Sequence, residues 1–189
     1  MGFGPDKLFL EVARLPVVGH AWLKFDRHPE IDEIVMVIRE DAREQFEQLA
    51  RQLDLAKPHT LIAGGAERQD SVMKGLAAVH AGCELVAIHD GARPCTSAGI
   101  ISETLAAARE TGAAVAARKV TDTLKLAGDQ NHIASNVDRT HHWTVQTPQI
   151  FQLETIRAAM AAVREQGATV TYDTTACELI GQQIGRAHV

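Results

Sequence analysis

The residues best placed to do chemistry are an acid and a base three positions apart, Asp90 and Arg93, in the stretch Ile88-His89-Asp90-Gly91-Ala92-Arg93-Pro94. They follow a short apolar run, Leu85 to Ile88. In an open α/β sheet, ligands collect outside the carboxyl ends of the strands, so a carboxylate and a guanidinium at such an end face a substrate crevice. Gly91 and Ala92 keep the turn slim, and Pro94 stops the strand from continuing. An Asp in that place can hold Mg²⁺, which bridges phosphate oxygens and offsets charge when a phosphorus centre is attacked. The same seven residues also read as a solvated turn closed by a local ion pair. A second candidate lies one unit earlier, where Gly64-Gly65 ends an apolar run and Ala66-Glu67-Arg68-Gln69-Asp70-Ser71 leads into a helix. A slim loop beside a helix N-terminus suits a nucleotide base or phosphate, because unpaired N–H groups and the helix dipole favour negative charge there. Glycine-rich turns also occur as plain structure.

The elements that must hold these loops follow from periodicity. Helical spacing of Val17, Val18, Ala21, Trp22 and Phe25 predicts a helix over 17–25. The β-branched run from Glu33 to Ile38 predicts a buried strand, Arg43 to Leu53 a second helix and Thr60 to Ala63 a second strand. A helix starting at Asp70-Ser71, with one of these as N-cap, turns Val72, Leu76 and Val79 inward. After the strand 85–88 come a helix over Ile100–Thr111 closed by Gly112 and a small-residue strand, Ala113 to Ala117. Alternating strand and helix is the pattern of an α/β fold, a doubly wound, mostly parallel sheet covered on both faces. From Arg118 to His142 the pattern breaks. Val120-Thr-Asp-Thr-Leu-Lys125 alternates like an exposed strand and Ala127-Gly-Asp-Gln-Asn131 supplies a turn, which predicts a protruding hairpin. A polar two-stranded arm is marginal alone, so it suggests a partner subunit, the competing reading being a disordered loop. Trp143 to Thr147 returns to the core with Pro148 ending the run. Leu153 to Arg164 is a helix ended by Gly167, Thr169 to Thr171 a short strand, and Ala176 to Ile180 a last helical turn.

Bulk properties narrow the classes. The 189 residues fit one domain with a sizeable core, and 46% apolar with 23% charged residues is ordinary globular composition. Nothing approaches the roughly 18 consecutive apolar residues of a membrane span. A formal net charge of -5 argues against a nucleic-acid footprint and leaves room for a local pocket for small anions. Three cysteines without CxxC spacing and scattered histidines give no zinc site and fit a reducing, cytoplasmic compartment. His89 reads as a structural residue bonded to backbone.

Taken in order, several segments resemble the 2-C-methyl-D-erythritol 4-phosphate cytidylyltransferase family. They are Lys7-Leu-Phe-Leu, His28-Pro with Ile31-Asp-Glu-Ile-Val, Gly64-Gly65 with Glu67-Arg68 and Asp70-Ser71-Val72, and Gly75-Leu76. The likeness continues through His89-Asp90-Gly91-Ala92-Arg93-Pro94, Val120-Thr-Asp-Thr-Leu-Lys125, Val137-Asp138-Arg139 and Gln146-Thr147-Pro148-Gln149. The resemblance implies a reaction joining CTP to a sugar-alcohol phosphate with release of pyrophosphate. By the same resemblance Lys7 stabilises the transition state at the α-phosphate, and Gly65, Ala66 and Ser71 surround cytosine and ribose. Ala66 stands where many members have Asp. Asp90 holds Mg²⁺ with Arg93 anchoring its loop; Thr123, Arg139 and Thr171 meet the acceptor sugar phosphate, Arg139 positioning it for attack. The arm, residues 118–142, crosses to a neighbouring subunit in a homodimer. On residue type alone, Lys7 also reads as an exposed loop lysine, Arg139 as half of a salt bridge and Thr123 as a β-former.

Two departures shape the expectation for these 189 residues. The family pattern opens with a strand and a Gly-rich loop ending in Arg-Met, and Met1 falls at that Met. At the other end it runs on past Tyr172-Asp173-Thr174, with Tyr172 where an acid is usual, to a segment carrying an Asp and a Lys of the site. The resemblance therefore implies a fragment of low activity. Ile184-Gly-Arg-Ala-His-Val189 reads like a translated sequencing adapter and is expected not to be gene-encoded. Two other functions fit the same residues: a cytidylyltransferase acting on ribitol 5-phosphate, and a non-catalytic nucleotide-binding or dimerisation module.

Overall fold

The computed structural model describes residues 6–168, 170 and 172–188. A 3-10 turn, Lys7–Phe9, is capped by Asp6, whose carboxylate accepts from the Leu8 amide at 3.0 Å. Two short strands, β1 (Glu11–Val12) and β2 (Leu15–Pro16), form a tight antiparallel ladder that delivers the chain to α1 (Val17–Asp26). β3 (Ile34–Ile38), α2 (Arg43–Leu53) and β4 (His59–Ala63) make one βαβ unit, its strands parallel with Ile34 opposite His59 and Ile38 opposite Ala63. α3 (Arg68–Ala78) leads to β5 (Leu85–Ile88), and α4 (Ala98–Thr111) to β6 (Ala113–Lys119). Gly112, at φ 84°, closes α4 in the left-handed conformation a side chain resists. From α1 to β6 the elements fall where the periodicity predicts them, within a residue or two at their ends, whereas the 3-10 turn and the β1–β2 ladder were not foreseen.

The arm is a hairpin, β7 (Leu124–Ala127) antiparallel to β8 (Ile133–Val137), joined through a 3-10 turn at Asp129–Asn131. Leu126 and Ile133 are 56% and 64% exposed on it. β9 (Trp143–Gln152) then runs ten residues back through the molecule, followed by α5 (Leu153–Glu165), α6 (Asp173–Leu179) and β10 (Gly185–His188). Pro148 does not end β9. The register with β6 jumps here, from Val115 opposite Gln149 to Ala117 opposite Val145, and such an irregularity is where a strand tolerates a residue without an N–H. The last helix starts three residues earlier than the sequence pattern suggests. The short strand expected at Thr169–Thr171 falls largely outside the described residues, and Val170 belongs to no strand.

The sheet is mixed. β10, β6, β9 and β5 are hydrogen-bonded in that order, with β10 parallel to β6 and β9 antiparallel to both its neighbours. β3 and β4 form a separate parallel pair. Along β5 the side chains alternate: Leu85 and Ala87 pack with Phe25, Ile101 and Leu105, whereas Val86 and Ile88 pack with Leu76, Phe151 and Ile156. Helices α1 and α4 thus cover one face and α3 and α5 the other, the double winding of an α/β layer. A third cluster joins Trp22, Ile38, Phe46 and Leu53 around α2.

Phe151 is fully buried where β9 meets both β5 and β6. Phe151→Ala costs about 3–5 kcal/mol in urea unfolding, and Gln45→Ala on the exposed face of α2 stays within about 0.5 kcal/mol.

Candidate active site

The loop after β4 is built around one hydroxyl. Ser71 accepts from the Gly65 amide at 3.0 Å and donates to the Glu67 carbonyl at 3.2 Å, drawing the loop onto the first turn of α3. Glu67, not Asp70 or Ser71, is the N-cap. Its side chain takes the amide of Asp70, while the Asp70 carboxylate takes the Glu67 amide at 3.1 Å. The sequence reading looked for a short polar cap and missed this reciprocal box, which places the helix start two residues upstream. A Cβ at Gly65 would lie 2.1 Å from the Asp70 Cβ, so only glycine fits there. Lys74 donates to the Gly64 carbonyl at 2.7 Å, and Ala66 stands exposed at the loop tip.

The next strand end carries a second network. His89 is held between the Arg93 carbonyl at 3.1 Å from Nε2 and the Thr147 hydroxyl at 3.0 Å from Nδ1. A carbonyl only accepts, so Nε2 carries the proton and Nδ1 accepts from Thr147. Burial pushes the His89 pKa down, in keeping with this neutral ring. The same Thr147 oxygen accepts from the Asp90 amide at 3.2 Å. His89 is therefore structural, as its position suggested, and Thr147, on β9 and 57 residues from Asp90 in sequence, fixes the backbone of the acid.

The Asp90 side chain lies between two guanidiniums. Arg93 Nε donates to Oδ2 at 3.0 Å, and Arg68 Nη2 stands 3.8 Å from Oδ1. Arg68 is in turn anchored by Asp173, its Nη1 lying 2.6 and 2.7 Å from the two carboxylate oxygens. The Asp173 side chain is only 1% exposed. Burial pushes its pKa up, and Arg68 offsets part of that shift by pairing with the charged form. No spacing rule links residues 105 positions apart, so neither Arg68 nor Asp173 was singled out by role.

A cavity of about 730 Å³ is lined by Asp90 and Arg93 together with Asp6, Lys7 and Arg39. Arg39, at the carboxyl end of β3, faces Asp6 at 3.4 Å and was not foreseen. Lys7 has no ion pair among the described residues. Arg68 and Ser71 border the adjoining cleft, which meets this cavity at Leu8, Val37, Phe46, Asp90 and Gly91. Thr123 and Arg139 are exposed on the arm and line neither cavity. Thr171 lies outside the described residues.

No group of three His, Cys, Asp or Glu able to cage a metal exists among the described residues. Asp90 is 38% exposed at its side chain and keeps lone pairs that neither arginine occupies. A single accessible carboxylate fits Mg²⁺, which keeps waters and arrives with phosphate oxygens rather than filling a protein cage.

Comparison with known proteins places the chain among relatives of one family. Residues 1–186 match the family model described as 2-C-methyl-D-erythritol 4-phosphate cytidylyltransferase, IspD. A protein of that name from Syntrophotalea carbinolica is 40% identical over 189 residues, covering 97% of this chain and 79% of its own length. Another from Alkaliphilus oremlandii is 34% identical, covering 100% of this chain and 80% of its own. Among solved structures, 4-diphosphocytidyl-2C-methyl-D-erythritol synthase from Anaerococcus prevotii superposes with a TM-score of 0.87 at 28% identity, over 96% of this chain and 83% of that one. The cytidylyltransferase from Thermus thermophilus gives 0.77 at 27% identity, over 98% and 84%.

The Arg68–Asp173 pair makes a testable demand. Arg68→Met leaves a buried carboxylate without its partner and destabilises the fold by about 2 kcal/mol, below the cost for a fully buried pair because Arg68 is 36% exposed. With Arg68 gone the Asp173 pKa rises further above its unfolded value, so the folded state binds the extra proton and stability falls as pH rises through that window. Urea unfolding therefore shows a larger deficit at neutral pH than at mildly acidic pH.

Proposed function

The chain belongs to the 2-C-methyl-D-erythritol 4-phosphate cytidylyltransferase family, and on that premise we propose how its residues share the work. The protein is a nucleotidyltransferase that moves CMP from CTP to 2-C-methyl-D-erythritol 4-phosphate and releases pyrophosphate, a step in isoprenoid precursor synthesis. The observation that carries the assignment of roles is the cavity that unpaired Lys7 shares with Asp90 and Arg93. A phosphate oxygen of the acceptor attacks the α-phosphorus of CTP in line, and the bond to the bridging oxygen of pyrophosphate breaks. No protein nucleophile is required, since positioning and charge stabilisation carry such transfers. Lys7, a point charge, meets the negative charge that gathers on the α-phosphoryl oxygens. Gly65, Ala66 and Ser71 seat the cytosine and ribose against a loop already locked by its own hydrogen bonds.

Asp90 is the residue we assign to Mg²⁺, held in aim by Arg93 and Arg68. Held there, Mg²⁺ would supply positive charge that offsets the charge of the nucleotide phosphates. Thr123, Arg139 and Thr171 are assigned to the acceptor, Thr123 and Arg139 by way of a homodimer. In this reading the exposed arm crosses to a second subunit, which also covers Leu126 and Ile133. Cys83, Cys95 and Cys177 are all free, in keeping with the cytoplasmic location we propose, and no helix among the described residues is long and apolar enough to cross a membrane. Ribitol 5-phosphate is not favoured as acceptor, because the relatives that the chain matches are named for the methylerythritol phosphate.

Pyrophosphate release from CTP with each acceptor tests the assignment, and preference for ribitol 5-phosphate overturns it. Lys7→Ala lowers kcat on the order of 10²-fold or more with little change in CTP affinity by calorimetry. Asp90→Asn raises the Mg²⁺ concentration needed for CTP binding. For the arm, mixing Lys7→Ala with Arg139→Ala protein restores roughly a quarter of wild-type turnover if each site draws on both subunits. No recovery on mixing excludes a shared site.

A further inference from the structure

Lys7 stands next to an acid. Asp6 precedes it in the chain and lines the same cavity, and the flexible four-carbon stem of a lysine can swing its ammonium onto a carboxylate one residue away. A lysine paired in that way would bring little net charge to a phosphate. Yet Lys7 has no ion pair among the described residues, and the reason lies in how the Asp6 carboxylate is occupied. Its Oδ1 accepts from the Leu8 amide at 3.0 Å and so closes the 3-10 turn that Lys7 opens. Its Oδ2 faces Nη2 of Arg39 at 3.4 Å. Arg39 follows buried Ile38 at the end of β3, and its Nε lies 3.2 Å from Oδ1 of Asp41, so the guanidinium is bracketed by two carboxylates. The turn itself does not depend on Arg39. Its cap uses the other Asp6 oxygen, and Phe9 fixes it to α2, the ring meeting that of Phe46 edge-on at 5.0 Å.

We propose that Arg39 is a positioning residue for the transfer reaction: by occupying Oδ2 of Asp6 it keeps that carboxylate from capturing the ammonium of Lys7, which stays available for the α-phosphoryl oxygens. The inference rests on the role assigned to Lys7 above. A guanidinium remains charged at any working pH, so Arg39 competes for the carboxylate throughout the range in which the enzyme turns over. The Asp6 side chain is only 24% exposed, which leaves its charge incompletely screened and makes its occupancy matter to a cation one residue away. Arg39 itself is 67% exposed, so the pair adds little to the stability of the fold. Three roles for Arg39 thereby separate. As half of a plain surface ion pair it is dispensable to Lys7 and to turnover. As a direct clamp on phosphate, its loss cannot be repaired at Asp6. As the guard of Lys7, its loss is repaired by removing the charge of Asp6.

Two readouts test this on the same variants. Acetic anhydride labelling followed by mass spectrometry measures how freely the Lys7 amine reacts, with exposed Lys24 of the same chain as the reference. In Arg39→Ala the labelling of Lys7 slows by roughly threefold or more, because Asp6 takes the ammonium and an ion-paired amine gives up its proton less readily. Asp6→Ser in the same background keeps an oxygen at the N-cap without its charge, and restores the labelling. Turnover follows the same pattern, kcat falling by roughly fivefold in Arg39→Ala and recovering most of that loss in the double variant. Unchanged labelling of Lys7 in Arg39→Ala overturns the proposal. So does a fall in kcat that Asp6→Ser leaves unrepaired, which makes Arg39 a phosphate ligand or a support of the fold. Full turnover in Lys7→Ala is a different failure: it removes the role given to Lys7, while the labelling still reports whether Arg39 keeps that lysine free.

Discussion

The ion pair between Arg68 and buried Asp173 is the constraint on which the site depends. Burying a carboxylate is costly unless it is paired and hydrogen-bonded, and here one guanidinium supplies both contacts. The consequence is mechanical. The first residue of α3 is tied to the first residue of α6, two helix starts that no backbone ladder joins. Arg68 so anchored stands beside Asp90, whose other oxygen is taken by Arg93 and whose amide is taken by Thr147. Four separate elements thereby converge on one carboxylate and leave it little rotational freedom.

The charge around that carboxylate explains how a chain of net charge -5 can receive a triphosphate. The field of the whole protein disfavours an anion, so attraction has to be local. Lys7, Arg39, Arg68 and Arg93 gather near Asp6, Asp90 and Asp173, and most of this positive charge is already spoken for inside the site. Lys7 is the exception, and its freedom suits it to a charge that appears during reaction. The arginines are better read as holding the acid in place than as a second clamp on phosphate. A single held carboxylate then fits a cation brought by the nucleotide better than one resident in a cage.

Much of the fold was legible because burial imposes a period. The spacing of Val18, Trp22 and Phe25, the run Ile34–Ile38 and the cap at Gly112 each state a local rule that the structure obeys. The arm was legible from its turn residues, but its first strand runs over 124–127 rather than the alternating 120–125, because an exposed hairpin has little burial to impose a period. Features set by pairing between distant segments were not legible. Nothing near Pro148 announces that β9 continues past it, because the irregularity that accommodates it belongs to the register with β6. Arg68 and Asp173, Thr147 and Asp90, and Arg39 and Asp6 are likewise matched by the fold rather than by spacing. The helix start at Glu67 is different. Its capping box is local, but it uses a long acid at the cap and a short one three residues on, the reverse of the usual order.

Cleft and site also meet at particular residues. The space between β3 and β5 opens into the Lys7 cavity at Leu8, Val37, Phe46, Asp90 and Gly91. Arg39 follows β3 and Asp90 follows β5, so the two strands that border the cleft also carry lining residues of the cavity at their carboxyl ends. Among the described residues no backbone ladder joins β3 to β5, so the distance from Arg39 to Asp90 rests on side-chain packing by α1 and α3, which is softer than a ladder of backbone bonds. Charge stabilisation in a transition state falls off when donors are displaced by even about an ångström. The packing of α1 and α3 against these two strands therefore bears on the precision of the site as well as on the stability of the fold.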